Sequence, residues 1–103
     1  MNTLNGFELE NFYVMIKAYF PSAVIKTEDD TAGICLLKTR KNAYKRNTDY
    51  MADVMYTDKG LVYSVIEREY VSYGWFATIY VQTTDESEFM HTLGALKDGC
   101  YED

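Results

Sequence analysis

Pro21, the only proline in the chain, falls where the period of the apolar residues changes. Before it, Leu9, Phe12, Tyr13, Ile16 and Phe20 recur at a spacing that lines them along one face of a helix. Proline disfavours helical backbone in the residue ahead of it, so the helix must stop there. From Ser22 to Thr83 the pattern becomes short runs rich in Val, Ile, Tyr and Thr, separated by turn residues, which is the signature of strands and hairpins. Beyond Thr84 the helical spacing returns with Phe89, Leu93 and Leu96.

The first helix is predicted over about 6–19. Asn5 can cap its start while Glu8 reaches back to the Asn5 amide, and Leu4 and Leu9 flank that box as a staple. Five strands are expected, at 23–27, 33–39, 49–57, 61–69 and 75–82. The acidic run Glu28-Asp29-Asp30-Thr31 forms the first turn, and a mostly basic segment joins the second strand to the third. Asp58-Lys59-Gly60 reads as a three-residue loop with Gly60 in the left-handed position, and Ser72-Tyr73-Gly74 as a last tight turn. In the second helix Thr84 or Asp85 can cap, Glu86 and Glu88 meet the positive end of the helix dipole, Lys97 meets the negative end, and Gly99 stops the run. Gly94 inside this helix costs about 1 kcal/mol against Ala, which points to close packing on the sheet.

Short connections between these elements specify an α+β fold, a single domain over 1–103. It has an N-terminal helix, a five-stranded antiparallel meander and a C-terminal helix, with both helices on one sheet face. In the last strand Trp75, Ala77, Ile79 and Val81 are expected to face the core, and Phe76, Thr78, Tyr80 and Gln82 the uncovered side. That side is the expected contact surface, for a partner or for a second copy in a homodimer. In the third strand Tyr50, Ala52, Val54 and Tyr56 alternate with Met51, Asp53, Met55 and Thr57, which leaves the inward set open.

A hydrophobic content of 48% excludes a disordered chain. The aromatic residues include 10 Tyr, whose ring and polar tip suit a core edge or a recognition surface. A net charge of −6 argues against generic wrapping of nucleic acid, because that affinity comes from neutralised phosphates. The charge is unevenly spread: Lys38, Arg40, Lys41, Lys45 and Arg46 make up half of the 10 Lys+Arg, with no acid among them. This stretch could grip phosphate, with Arg40 or Arg46 pairing oxygens and Tyr44 stacking on a base. The plainer reading is a solvated loop that keeps an edge strand from pairing. The acids Glu28, Asp29, Asp30, Asp49, Asp53, Asp58, Asp85, Glu86 and Glu88 are candidates for a phosphate-mimicking surface that fills a partner's nucleic-acid groove, with Phe76 and Tyr80 as aromatic contacts. Ordinary solubility and helix-end electrostatics are the alternative.

No catalytic constellation is present. His91, the only histidine, is expected to face solvent, with no Ser or Cys beside it to activate. Cys35, Cys100 and His91 lack the paired spacing of zinc ligands, and Glu28-Asp29-Asp30 lacks the alternation of a calcium loop. Cys35, between Ile34 and Leu36, reads as a core residue and Cys100 as an exposed thiol. The six glycines are scattered and form no phosphate loop. No enzymatic activity, metal or cofactor is therefore expected. Two cysteines, no signal-type leader and no run near the roughly 20 apolar residues of a membrane span lead to a cytoplasmic, soluble protein with no membrane partner.

The function expected from these features is that of a small non-enzymatic binding protein. It would inhibit a protein partner, such as a nucleic-acid-binding enzyme, through an acidic and aromatic surface. In size and charge alone the chain resembles phage counter-defence proteins, including nucleic-acid-mimicking anti-CRISPR proteins, which implies action in the host cytoplasm. The alternative is a binder of a nucleotide or nucleotide signal that uses residues 38–46 and the tyrosines. Direct nucleic-acid binding is expected only through that basic stretch.

Overall fold

The computed structural model describes residues 4–26 and 32–100. The chain runs α1 (Gly6–Tyr19), β1 (Val24–Ile25), β2 (Ala32–Lys41), β3 (Asn47–Thr57), β4 (Gly60–Val71), β5 (Gly74–Thr83) and α2 (Glu86–Lys97). The strands pair antiparallel in sequential order, giving the α+β fold that the apolar periods predict.

Local chemistry fixes the helix ends. The Glu8 amide donates to the Asn5 side chain at 2.7 Å and the Asn5 amide to Glu8 Oε1 at 3.1 Å, the reciprocal box that satisfies two otherwise orphaned donors. After α1, the Lys17 ammonium donates to the carbonyls of Pro21 and Ala23, which holds the turn into β1. Asp85 caps α2 by accepting from the Ser87 amide. The Cys100 amide bonds the Ala95 carbonyl and the Gly99 amide that of Leu96, with Gly99 at φ 81, so α2 closes in a left-handed glycine cap.

Both helices lie on one face of the sheet. Phe12 and Ile16 of α1 and Phe89, Leu93 and Leu96 of α2 are buried against Cys35, Tyr50, Ala52, Val54, Tyr63, Val65 and Val81. Each large side chain so buried contributes about 1.5–3 kcal/mol. The Tyr63 ring stacks on Phe89 at 5.0 Å, and Phe12 lies 6.0 Å from Phe89, joining sheet and helices. Gly33 lets α1 settle directly on β2, since a Cβ there would come within 2.7 Å of Leu9 Cδ1. Gly94 has a different reason from the expected one: a Cβ would meet the Tyr19 ring at 3.3 Å, so its close neighbour is α1 rather than the sheet.

Two bulges at one level of the sheet decide which side chains face the helices. In β2, Leu36 pairs with Met51 and Lys38 with Tyr50, leaving Leu37 as an extra residue. In β5, Val81 pairs with Val65 and Ile79 with Ile66, leaving Tyr80 extra. An extra residue reverses the alternation beyond it. Val81 therefore faces the core and Gln82 the uncovered side, as expected, but Trp75, Ala77 and Ile79 turn away from the helices. Phe76, Thr78 and Tyr80 lie on the helix side, which corrects their expected placement; the Tyr80 ring stacks on buried Tyr50 at 6.4 Å. In β3 the inward set is Tyr50, Ala52 and Val54.

The hairpin connections are tighter than the sequence suggests. Lys38, Arg40 and Lys41 belong to β2, so only residues 42–46 join β2 to β3. Thr57 pairs with Gly60, which shortens the β3–β4 loop to Asp58 and Lys59, with Gly60 at φ 97.

Candidate functional site

The side of the sheet away from the helices carries an unbroken apolar row. Val24, Leu36, Met51, Ile66 and Ile79 are successive partners across all five strands. A mainly polar row lies on each side of it, Asp53, Ser64 and Gln82 with apolar Ile34 on one and Thr39, Asp49 and Arg68 with Ala77 on the other. Trp75 completes the surface with Arg68 over its ring. An antiparallel sheet with one wet face normally alternates apolar with polar residues. In β2 the run Ile34-Cys35-Leu36-Leu37 does not alternate, and its outward members Ile34 and Leu36 belong to this surface.

Asp53 lies between Ile34 and Ser64 in the first of these rows. Burial raises its pKa above the usual carboxylate value, and a hydrogen bond with Ser64 partly opposes the shift. Asp49, on the other side of the apolar row, accepts from the Tyr70 hydroxyl at 3.0 Å.

The second distinctive region is the end of the sheet where residues 42–46 and the turn Ser72-Tyr73 lie side by side. The Asn42 side chain organises the first of these by accepting from the amides of Tyr44 and Arg46 and donating to Glu69. Lys45 adopts φ 61, a left-handed conformation that L residues rarely take. Arg46 pairs with Glu69 at 3.1 Å and lies 5.6 Å from the Tyr44 ring centroid.

The basic stretch is thus partly committed to the fold. Lys38 donates to the Leu96 carbonyl at the end of α2, where a cation suits the dipole, and Arg40 donates to the Tyr50 hydroxyl. Lys41 and Lys45 are exposed.

The candidate acids are not gathered on one surface. Asp49 and Asp53 belong to the uncovered face, Asp58 to the β3–β4 loop, and Asp85, Glu86 and Glu88 to the start of α2. Glu86 accepts from the Tyr63 hydroxyl at 3.0 Å and from Asn11. Glu28, Asp29 and Asp30 lie outside the described residues. Of the candidate aromatic contacts, Tyr80 is half-buried and donates to Glu67 at 2.9 Å, whereas Phe76 is exposed beside Tyr73. Reasoning from alternation missed Trp75, Ile66, Ile79 and Met51. The apolar run in β2 was the available signal, because it implied a strand with apolar side chains on both faces.

His91 is exposed, Cys35 is buried and Cys100 exposed. Among the described residues no three His, Cys, Asp or Glu side chains are placed to hold a metal ion, and no helix is long and apolar enough to cross a membrane. Comparison with protein-family models, curated proteins and solved structures gives no match to this chain.

Proposed function

We propose that this chain is a non-enzymatic binding protein that inhibits a protein partner by occupying it with the uncovered sheet face. The observation that carries this reading is the row Val24, Leu36, Met51, Ile66 and Ile79, apolar across the full width of the sheet. Contiguous apolar surface rimmed by polar residues marks interaction sites, and covering it gains about 25 cal/mol per Å². The carboxylates in the flanking rows support one reading of the partner's chemistry. Asp49 and Asp53 favour a surface that is apolar at its centre and carries Lys or Arg at its edge, as beside the cleft of a nucleic-acid-binding enzyme. That is the kind of target expected of an acidic counter-defence protein.

The test is binding of a purified partner by surface variants. Met51→Glu and Ile79→Glu are each expected to weaken binding at least about 30-fold, the loss typical of a central contact. Val14→Glu, on the exposed side of α1, is expected to leave it unchanged. Full affinity in both sheet variants would overturn the proposal. So would a homodimer abolished by the same substitutions, since the face would then belong to a second copy.

A further inference from the structure

We infer that the end of the sheet formed by the β2–β3 and β4–β5 turns is a separate binding site for single-stranded nucleic acid. Two cavities meet there, of about 500 Å³ and about 470 Å³, and share Asn47 and Tyr70 as walls. Together they form one trough that passes from Phe76, on the helix side, over the sheet end to Thr39 and Asp49 on the uncovered face. Its charged walls are Arg40, Lys41, Lys45 and Arg46 with Asp49, which already accepts from Tyr70; Arg46 also pairs with Glu69 and Arg40 donates to the Tyr50 hydroxyl, so the exposed Lys41 and Lys45 lead the contact with phosphate. Cations placed along a groove can follow a phosphate backbone.

The aromatic residues supply the second requirement. Tyr73, 82% exposed, and Phe76, 55% exposed, meet edge to face on the trough wall, and Tyr44, 74% exposed, stands on the neighbouring turn. Base–ring stacking is tolerant of sequence and suits a strand whose bases are unpaired. A duplex keeps its bases stacked on one another and offers no internal base face to Tyr73 or Phe76. Asp58, Asp85 and Glu86 lie at the opposite end of the antiparallel strands from the trough.

Asp49 rims both this site and the apolar face, and the two are told apart by variants that change only one of them: Met51→Glu and Ile79→Glu for the face, Tyr73→Ala and Phe76→Ala for the trough. The test is titration of fluorescently labelled oligo-dT and oligo-U of about 12 nucleotides, followed by anisotropy. Engagement of about three phosphates predicts a log–log salt slope near −2, or about 18-fold weaker binding between about 50 mM and about 200 mM salt. Tyr73→Ala and Phe76→Ala are each expected to weaken binding about tenfold. Lys41→Glu with Lys45→Glu should weaken it further and flatten the salt dependence; both lysines are exposed, so circular dichroism should be unchanged. Met51→Glu should bind the oligonucleotides normally. Absence of binding, binding unaffected by the trough variants, binding only to anionic vesicles, or AMP competing as well as the oligonucleotide would overturn the inference.

Discussion

The guanidinium of Arg68 lies 4.4 Å from the centre of the Trp75 ring, on the sheet face that neither helix covers. Such a contact contributes about 0.5–1 kcal/mol at an exposed site. Arg68 Nε is enclosed without a hydrogen-bond partner, which offsets part of that gain. Arg68→Gln is therefore expected to lower stability to urea by no more than about 0.5 kcal/mol. Trp75 is the only tryptophan, so acrylamide quenching reports on it directly and should increase in the variant. Unchanged quenching would show that Arg68 does not shield the ring.

Asp53 is a carboxylate held partly out of water at some expense to stability. Because burial raises its pKa above 3.8, the unfolded chain gives up this proton more readily than the folded one. Its contribution is favourable only at acid pH and is lost as pH rises through the folded value. Asp53→Asn is accordingly expected to stabilise the protein at pH 7, with the gain shrinking as the pH is lowered towards 4, measured by thermal unfolding across that range. A destabilised variant at pH 7 would mean that the Ser64 hydrogen bond outweighs burial. A carboxylate retained despite its cost to stability fits a role in contact with a partner.

The buried hydroxyls and thiol predict loss of stability in alkali. Burial, followed by hydrogen bonds to Glu86 and Glu67, raises the pKa of Tyr63 and Tyr80 above 10.0, and burial pushes the Cys35 thiol up from 9.0 to about 11. The unfolded chain loses these protons first, so the stabilisation is complete below pH 9, declines above it and steepens beyond pH 10. The melting temperature should follow that course, and Tyr80→Phe should flatten the steep part. The same burial separates the two thiols. Cys100 should react with a disulfide reagent at neutral pH while Cys35 reacts only as the protein opens. Equal rates would contradict the placement of Cys35 in the core.

The helices and the order of strands were legible because their signals are local. Asn5 and Glu8 are one turn apart, Gly99 immediately follows its helix, and Pro21 acts on its neighbour. The faces of β5 were not legible, because Tyr80 bulges only in relation to Val65 and Ile66 on another strand. Period-two reading carries the wrong face through every residue from Trp75 to Tyr80 once that extra residue is missed. The basic stretch was legible as charge but not as structure. The bonds that engage Lys38 and Arg40 come from Leu96, 58 residues away, and from Tyr50 on the paired strand, so they depend on docking and register rather than on the stretch itself.

By itself, the sequence determined the fold class, the caps, the burial of Cys35 and the existence of an uncovered sheet face. Each follows from residues near one another in the chain or from the number of apolar stripes available to cover a sheet. Tertiary structure alone decided that this face presents Trp75 and Ile79 rather than Phe76 and Tyr80, and that the two turns bearing Tyr44 and Tyr73 meet at one end. The reason is that strand register is a property of pairs: one unpaired residue costs little locally, yet inverts the facing of the rest of its strand.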